Sequence, residues 1–252
     1  GFLPVGRSHL WVIDASSGKA TQLVKDEKFS ESDPNWSPDG RSIYFTSNRG
    51  ADPERDLDRN DILRIPARGG RMVKIRKFAG GASSLSVSPD GKWIAFLGQP
   101  DPDAPWNSVH TKLWLIPSTG GKPVLLSRGL DRSCSNSSIS DTFGIPPTPR
   151  PSWSPDSKEI AFVLVSEGQA ELWKVAIADR KPEPLLQLPG VLIEWAVDWN
   201  ARRVVSTFAD VHNPGEVRVD PFADETGPSR KLSSFNTDWL AKKAVALPRE
   251  VW

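Results

Sequence analysis

The chain has 252 residues, with 32 basic and 31 acidic side chains and a formal charge of +1. That balance makes no electrostatic case for nucleic acid or an anionic membrane surface, and no apolar run approaches the length of a membrane-spanning helix. The single cysteine, Cys134, cannot close an internal disulfide and favours a reducing, cytoplasmic compartment. The opening Gly-Phe-Leu-Pro-Val-Gly-Arg also lacks the anatomy of a signal peptide.

The first predicted elements are two short strands, residues 8–14 and 20–25, the first carrying Leu10-Trp11-Val12-Ile13. A turn then appears that the chain writes three times. It reads Trp36-Ser37-Pro38-Asp39-Gly40, Val87-Ser88-Pro89-Asp90-Gly91 and Trp153-Ser154-Pro155-Asp156-Ser157. Proline presets φ at the second turn position, Asp bonds back to nearby amides, and Gly accepts the left-handed conformation that closes the turn. An apolar pair of period two follows each copy: Ile43/Phe45, Ile94/Phe96 and Ile160/Phe162. A fixed turn followed by alternating apolar residues predicts a hairpin, and its recurrence predicts a repeat protein. Trp199-Asn200-Ala201-Arg202 occupies the fourth place in eroded form.

A second register runs between these turns. Leu63-Arg64-Ile65-Pro66, Leu113-Trp114-Leu115-Ile116 and Leu172-Trp173-Lys174-Val175 repeat the Leu10 strand, and Val217-Arg218-Val219 is a fifth, weaker copy. Each leads through a turn to another apolar strand, centred on Leu23, Ile75, Leu125, Leu185 and Leu232. The predicted unit is therefore four antiparallel strands, and the fold class is all-β. The expected architecture is a partial, open β-propeller of about four and a half blades. Residues 1–232 form it, with a half-blade at 8–25 and blades at about 30–77, 82–127, 148–188 and 193–232. The tail from Ser233 to Trp252 carries no Ser-Pro-Asp turn, so it adds no strand pair to the half-blade. This phase predicts a section of a larger ring cut before its first blades, and the missing Met at position 1 agrees. Helix is expected only as a turn or so near Asp238–Lys243. The matching slots of Trp11, Trp36, Trp114, Trp153 and Trp173 predict packing between blades rather than stacking on sugars or bases.

Candidate functional residues fall in three insertions, the usual seat of function on a repeat scaffold. Asn48–Asp61 holds Asp52, Glu54, Asp56, Asp58 and Asp61 against Arg49, Arg55 and Arg59. Asp56-x-Asp58-x-Asn60 imitates the opening of a calcium loop, but Asp61 stands where the glycine belongs and Ala67 where the bidentate glutamate belongs. It reads as a solvated, self-paired loop. Gln99–Thr111 carries Asp101, Asp103, Trp106 and His110, and fits either a partner-facing loop or a plain hairpin extension. Ser127–Pro151 begins with Arg128, Asp131, Arg132, Ser133 and Cys134 and ends in Pro146-Pro147-Thr148-Pro149. It is the first choice for a substrate-facing or domain-facing element, with a tolerated surface insertion as the equal alternative.

Catalytic constellations are missing. No Gly-x-Ser-x-Gly elbow occurs, His9, His110 and His212 stand far apart, and one cysteine builds no usual zinc pattern with them. The glycine pairs Gly69-Gly70, Gly80-Gly81 and Gly120-Gly121 precede no helix in phosphate-loop style. No catalytic, cofactor-binding or metal residue is assigned, and no cofactor is expected. Asn35-Trp36-Ser37 and Asn136-Ser137-Ser138 satisfy the glycosylation triplet, the first inside a repeated structural turn.

The phrase from Asp33-Pro34-Asn35 through the first turn to Thr46-Ser47-Asn48-Arg49 resembles the propeller repeat shared by prolyl oligopeptidase-family peptidases and TolB-type periplasmic proteins. The tail Leu232-Ser233-Ser234-Phe235-Asn236-Thr237-Asp238-Trp239-Leu240, with Pro248-Arg249-Glu250-Val251-Trp252, is similar to the propeller exit of acylaminoacyl-peptidase and dipeptidyl aminopeptidase-like members. On that resemblance residues 233–252 are an exit linker toward an α/β-hydrolase domain bearing a Ser-Asp-His triad, which this chain lacks. The resemblance implies a serine peptidase whose propeller gates short peptides, with the hydrolase domain and those peptides as partners. A TolB-type protein-binding scaffold is the alternative. None of the family's catalytic residues maps onto a position here.

Overall fold

The three Ser-Pro-Asp turns close three hairpins in one way. In the first, Gly40 N donates to Ser37 O (2.9 Å), Ser37 Oγ donates to Asp39 Oδ1 (2.6 Å), and Asp39 Oδ1 accepts from Arg41 N (3.0 Å). Ser88–Lys92 and Ser154–Lys158 repeat every one of these bonds. The serine hydroxyl also accepts the amide that opens the return strand, at 2.9, 3.0 and 2.9 Å. Those hydroxyls hold the carboxyls of Asp39, Asp90 and Asp156 below the usual range. The closing position is left-handed in each copy, at φ 67° for Gly40, 72° for Gly91 and 62° for Ser157. Serine thus adopts there a conformation that glycine takes without strain.

The computed structural model describes residues 6–53, 55, 59–78, 80–99, 101, 109–136 and 149–244. The chain divides into two units, Gly1–Leu126 and Ser127–Trp252. In the first, β1 (Trp11–Ile13) pairs β2 (Ala20–Gln22). A four-stranded sheet follows in the order β3 (Ser32–Trp36), β4 (Ser42–Ser47), β5 (Asp61–Pro66), β6 (Val73–Lys77). A second contains β7 (Gly80–Val87), β8 (Trp93–Gln99), β9 (Lys112–Pro117) and β10 (Val124–Leu125), again in sequence order. Every pairing in these sheets is antiparallel.

Alternation along the strands gives each sheet two apolar faces. One cluster joins Leu10 and Val24 to Ile43, Phe45, Leu63 and Ile65. The next joins Tyr44, Ile62 and Ile75 to Phe78, Leu85, Ile94, Phe96 and Ile116. Neighbouring residues of β4 thus serve two different cores. The inner strands add a polar link. Asn35 Nδ2 donates to Leu85 O (3.0 Å) while its Oδ1 accepts from Val87 N (3.3 Å), and Asp33 Oδ2 accepts from Leu85 N (2.7 Å). Asp33 reaches Leu85 from a left-handed backbone, φ 57°. Outer strands are blunted against further pairing: β6 exposes Lys74, Arg76 and Lys77, and β10 is two residues long.

In the second unit β11 (Ser152–Trp153), β12 (Glu159–Ser166), β13 (Gln169–Ala176) and β14 (Pro182–Leu186) form one antiparallel group. β15 (Val191–Asp198), β16 (Arg203–Asp210), β17 (Asn213–Pro221) and β18 (Arg230–Lys231) form another. A single parallel pair, Ala170 with Val191, joins the two groups into one sheet. Their core holds Ala161, Leu172, Leu185, Leu192, Val204, Phe208 and Phe222. The eroded turn is solved differently: Asp198 Oδ1 accepts from Asn200 N (3.1 Å) and Ala201 N (2.9 Å), and Arg202 is the left-handed residue at φ 52°. The described residues are nearly all β, no sheet among them closes on itself, and the one helical turn is α1 (Thr237–Leu240).

The tryptophan register needs correction. Trp153 is buried, and Trp114 and Trp173 are half-buried, their Nε1 groups donating to Gly98 O (3.1 Å) and Glu171 Oε2 (2.7 Å). Trp11 and Trp36, expected between blades, are 55% and 51% exposed. The reason is positional. Trp36 shares a register slot with Val87, which packs against the cluster built with β4–β6. Among the described residues, the cluster that joins this sheet to the β1–β2 pair holds Leu10, Val12, Leu23 and Val24, and Trp36 is not part of it.

Asn35 makes two of the three side-chain bonds by which β3 holds β7. Asn35→Ala should destabilise the chain by about 1–3 kcal/mol, since it orphans Leu85 O and Val87 N. Urea unfolding measures this; an unchanged midpoint would refute the link.

Candidate functional site

Charged groups gather in several places among the described residues, and none has the layout of a catalytic centre. The first lies beside the Asn48–Asp61 insertion. Glu31, its side chain fully buried, accepts from His9 Nδ1 (2.9 Å) and closely from Arg49 Nη2. Arg49 also donates to Asp26 Oδ2 (3.1 Å) and stacks over Phe29, with 4.7 Å from guanidinium carbon to ring centroid. A carboxylate between an imidazole and a guanidinium can orient a proton acceptor. Here the arrangement ties the chain before β3 to the end of β4. Sequence reasoning missed the cluster because its members come from three separated stretches. The only signal was Arg49, which closes the repeat phrase.

The three insertions differ in how they are held. In the first, Asp61 is buried and paired with Lys74, Asp52 O accepts from Arg55 N (3.3 Å), and Arg59 is half-buried. Glu54, Asp56 and Asp58 lie outside the described residues, and the calcium-loop reading with them. In the second, Asp101 and His110 are exposed, while Asp103 and Trp106 lie outside the described residues. In the third, the leading part is anchored. Ser133 bridges Val165, whose amide donates to Ser133 O (2.9 Å), Cys134 is fully buried, and Asn136 Nδ2 donates to Leu192 O (3.3 Å). Arg128 and Asp131 stay exposed and Arg132 half-buried; Pro146, Pro147 and Thr148 fall outside the described residues. Both candidate glycosylation asparagines are committed, Asn35 to the inner-strand link and Asn136 to a buried bond.

The second gathering is Lys174 on β13. Burial disfavours its charge, yet Glu183 (3.0 Å) and Glu159 (3.4 Å) outweigh it and raise its pKa. The third is Glu216 on β17, in the wall of a cleft of about 220 Å³ shared with Phe208, Asp210, Asn213, Arg218, Ser229 and Lys231. Burial pushes this carboxyl up. The Ser233 hydroxyl, the amides of Asn236 and Phe235, and Lys231 outweigh it and bring the pKa to about 2. No group of three His, Cys, Asp or Glu among the described residues could hold a metal ion. No helix among them is long and apolar enough to cross a membrane.

No family model matches the chain. Curated relatives do. Dipeptidyl-peptidase 5 of Aspergillus oryzae is 25% identical over 181 residues, covering 67% of this chain and 23% of that protein. Dipeptidyl-peptidase 5 of Porphyromonas gingivalis is 27% identical over 192 residues, covering 71% and 26%. The peptidase YuxL of Bacillus subtilis is 32% identical over 87 residues, covering 34% and 12%. The matches support a propeller domain of a prolyl oligopeptidase-family peptidase. The chain spans about a quarter of the length of the two dipeptidyl-peptidases it matches.

Solved structures agree on the fold and widen the range of functions it carries. Acylaminoacyl peptidase of Pyrococcus horikoshii superposes with a TM-score of 0.64 at 18% identity, over 95% of this chain and 34% of that one. An oligogalacturonate lyase in complex with manganese gives 0.69 at 14%, over 93% and 61%. TolB of Acinetobacter baumannii gives 0.62 at 15%, over 91% and 51%. At these identities the likeness establishes the propeller-type fold alone.

Glu31→Ala leaves the half-buried Arg49 with Asp26 as its remaining carboxylate partner, and should cost about 1–3 kcal/mol in thermal or urea unfolding. A loss under 1 kcal/mol would mean that solvent replaces the carboxylate. Because the folded pKa of Glu216 lies below the ordinary 4.5, its stabilisation is complete above that pH and is lost as pH falls toward about 2. Amide exchange at Phe235 and Asn236 should therefore accelerate, relative to β16, between pH 4.5 and 2. The Glu216→Gln chain should show no such acid step.

Proposed function

We propose that this chain is the propeller portion of a serine peptidase, and that its stacked sheets limit entry of short peptides to a nucleophile on an α/β-hydrolase domain outside residues 1–252. The four antiparallel groups β3–β6, β7–β10, β11–β14 and β15–β18 are its blades, and β1–β2 is half of another. The observation that carries this reading is the alignment with dipeptidyl-peptidases over two thirds of the chain, in a sequence with no Gly-x-Ser-x-Gly segment of its own. The chain performs no catalysis on this account. Its part is steric: rigid sheets fix the loops between strands, and the loops set the aperture.

A TolB-type scaffold that docks other proteins is the competing reading, supported by the fold-level likeness to TolB. The two diverge in what adjoins the chain. The peptidase reading expects a Gly-x-Ser-x-Gly segment in the gene downstream of the Trp252 codon and, for residues 1–252 alone, no turnover of dipeptidyl or acyl-amino-acid chromogenic substrates. Turnover above buffer by the purified chain would overturn the inert-propeller assignment. A stop codon with no hydrolase sequence after it would favour the scaffold.

A further inference from the structure

Residues 232–244, which follow β18, are held without a hydrophobic core. α1 buries no residue, and Leu232, Phe235 and Trp239 are 51%, 82% and 57% exposed. What fixes them is polar and local. Glu216, its side chain 6% exposed, accepts from Asn236 N at 2.9 Å, Phe235 N at 3.1 Å and closely from Ser233 Oγ. Ser233 Oγ accepts in turn from Val217 N (2.8 Å). A second anchor sits on the β16–β17 hairpin, where Asn236 Nδ2 donates to Gly215 O (2.7 Å) and Asn213 Oδ1 (3.3 Å). The helical turn then builds outward from that fixed point, with Leu240 N donating to Asn236 O (2.9 Å) and Ala241 N to Thr237 O (3.0 Å).

We propose that Ser233–Leu240 is a strap latched to the β16–β17 hairpin by the Glu216 carboxylate, able to order and release while the sheet beneath stays folded. The inference rests on this geometry and not on the peptidase reading. A segment ordered by apolar burial shares the fate of the core it joins. One ordered by a few polar bonds, chiefly to one carboxylate, has its own opening equilibrium, at the low-stability end of the molecule. Charge-assisted bonds from amide and hydroxyl to carboxylate are about twice as strong as neutral ones, and neutralising their shared acceptor weakens all three together. The latch also touches the cleft. Asn213 and Glu216 belong both to the strap's anchors and to the cleft wall, so release of the strap changes that wall.

Hydrogen exchange on the whole chain, read at single amides, tests this with Glu216→Gln and Asn236→Ala. In Glu216→Gln the amides of Phe235 and Asn236 should exchange at least tenfold faster, with Val204 and Val205 of β16 within twofold of the unchanged chain. Asn236→Ala, which keeps the carboxylate, should raise exchange at Leu240 and Ala241 by a similar factor. Unchanged exchange at Phe235 and Asn236 in Glu216→Gln would overturn the latch. Strap and β16 amides accelerating together, or loss of the fold in both variants, would overturn its independence from the sheet.

Discussion

A four-stranded sheet with two apolar faces cannot remain in water uncovered, and that requirement organises each unit of this chain. Ile43 and Phe45 point one way from β4 and Tyr44 the other, and both sets are buried because a neighbour lies on each side. Apolar burial of this kind contributes about 25 cal/mol per Å², which makes face-to-face stacking the dominant stabilising term. It is also undirected: two apolar faces could slide. The Asn35 and Asp33 bonds to the backbone of β7 supply the missing direction, because a side-chain amide that gives and takes at Leu85 and Val87 accepts one register only.

The hairpin turns are the second constraint, and they show what sequence conveys well. Ser, Pro, Asp and the closing residue act within five positions, so the turn and its bonds are fully local and could be read directly from Trp36–Gly40 and its copies. Strand periodicity was equally legible, since Ile43/Phe45 and their repeats need only alternation. The eroded turn at Asp198–Arg203 was less so. Its acceptor is Asp198, one residue ahead of the tetrapeptide that marks the fourth place, and its left-handed residue is an arginine held by Asp224 and Glu225 and stacked on Phe222.

Long-range features were beyond single-sequence reading. The tryptophan slots are repeats, but a register slot says which side of a strand a residue occupies and not whether anything covers that side. Trp153 and Trp36 share a motif, yet one is buried and the other half exposed. The His9–Glu31–Arg49 cluster and the Glu216 latch each join residues about twenty apart through loops of no fixed pattern. The front of the Ser127–Pro151 insertion is similar: nothing in its polar composition announces that Cys134 and Asn136 would be buried. Function is the least local property of all. Residues that would do chemistry are missing from the sequence motifs, so the peptidase assignment comes from kinship, and the fold, shared with a lyase and with TolB, does not choose.

Repeated Ser-Pro-Asp hairpins set the register of the antiparallel sheets, and the rest of the structure depends on that. Nuclear Overhauser contacts between facing α-protons in the labelled chain test it most directly. Strong contacts are expected at Trp36–Ile43, Val87–Ile94 and Trp153–Ile160, the pairs that flank the three turns. Pairs shifted by one residue, or a pattern of parallel strands covered by helices, would contradict it.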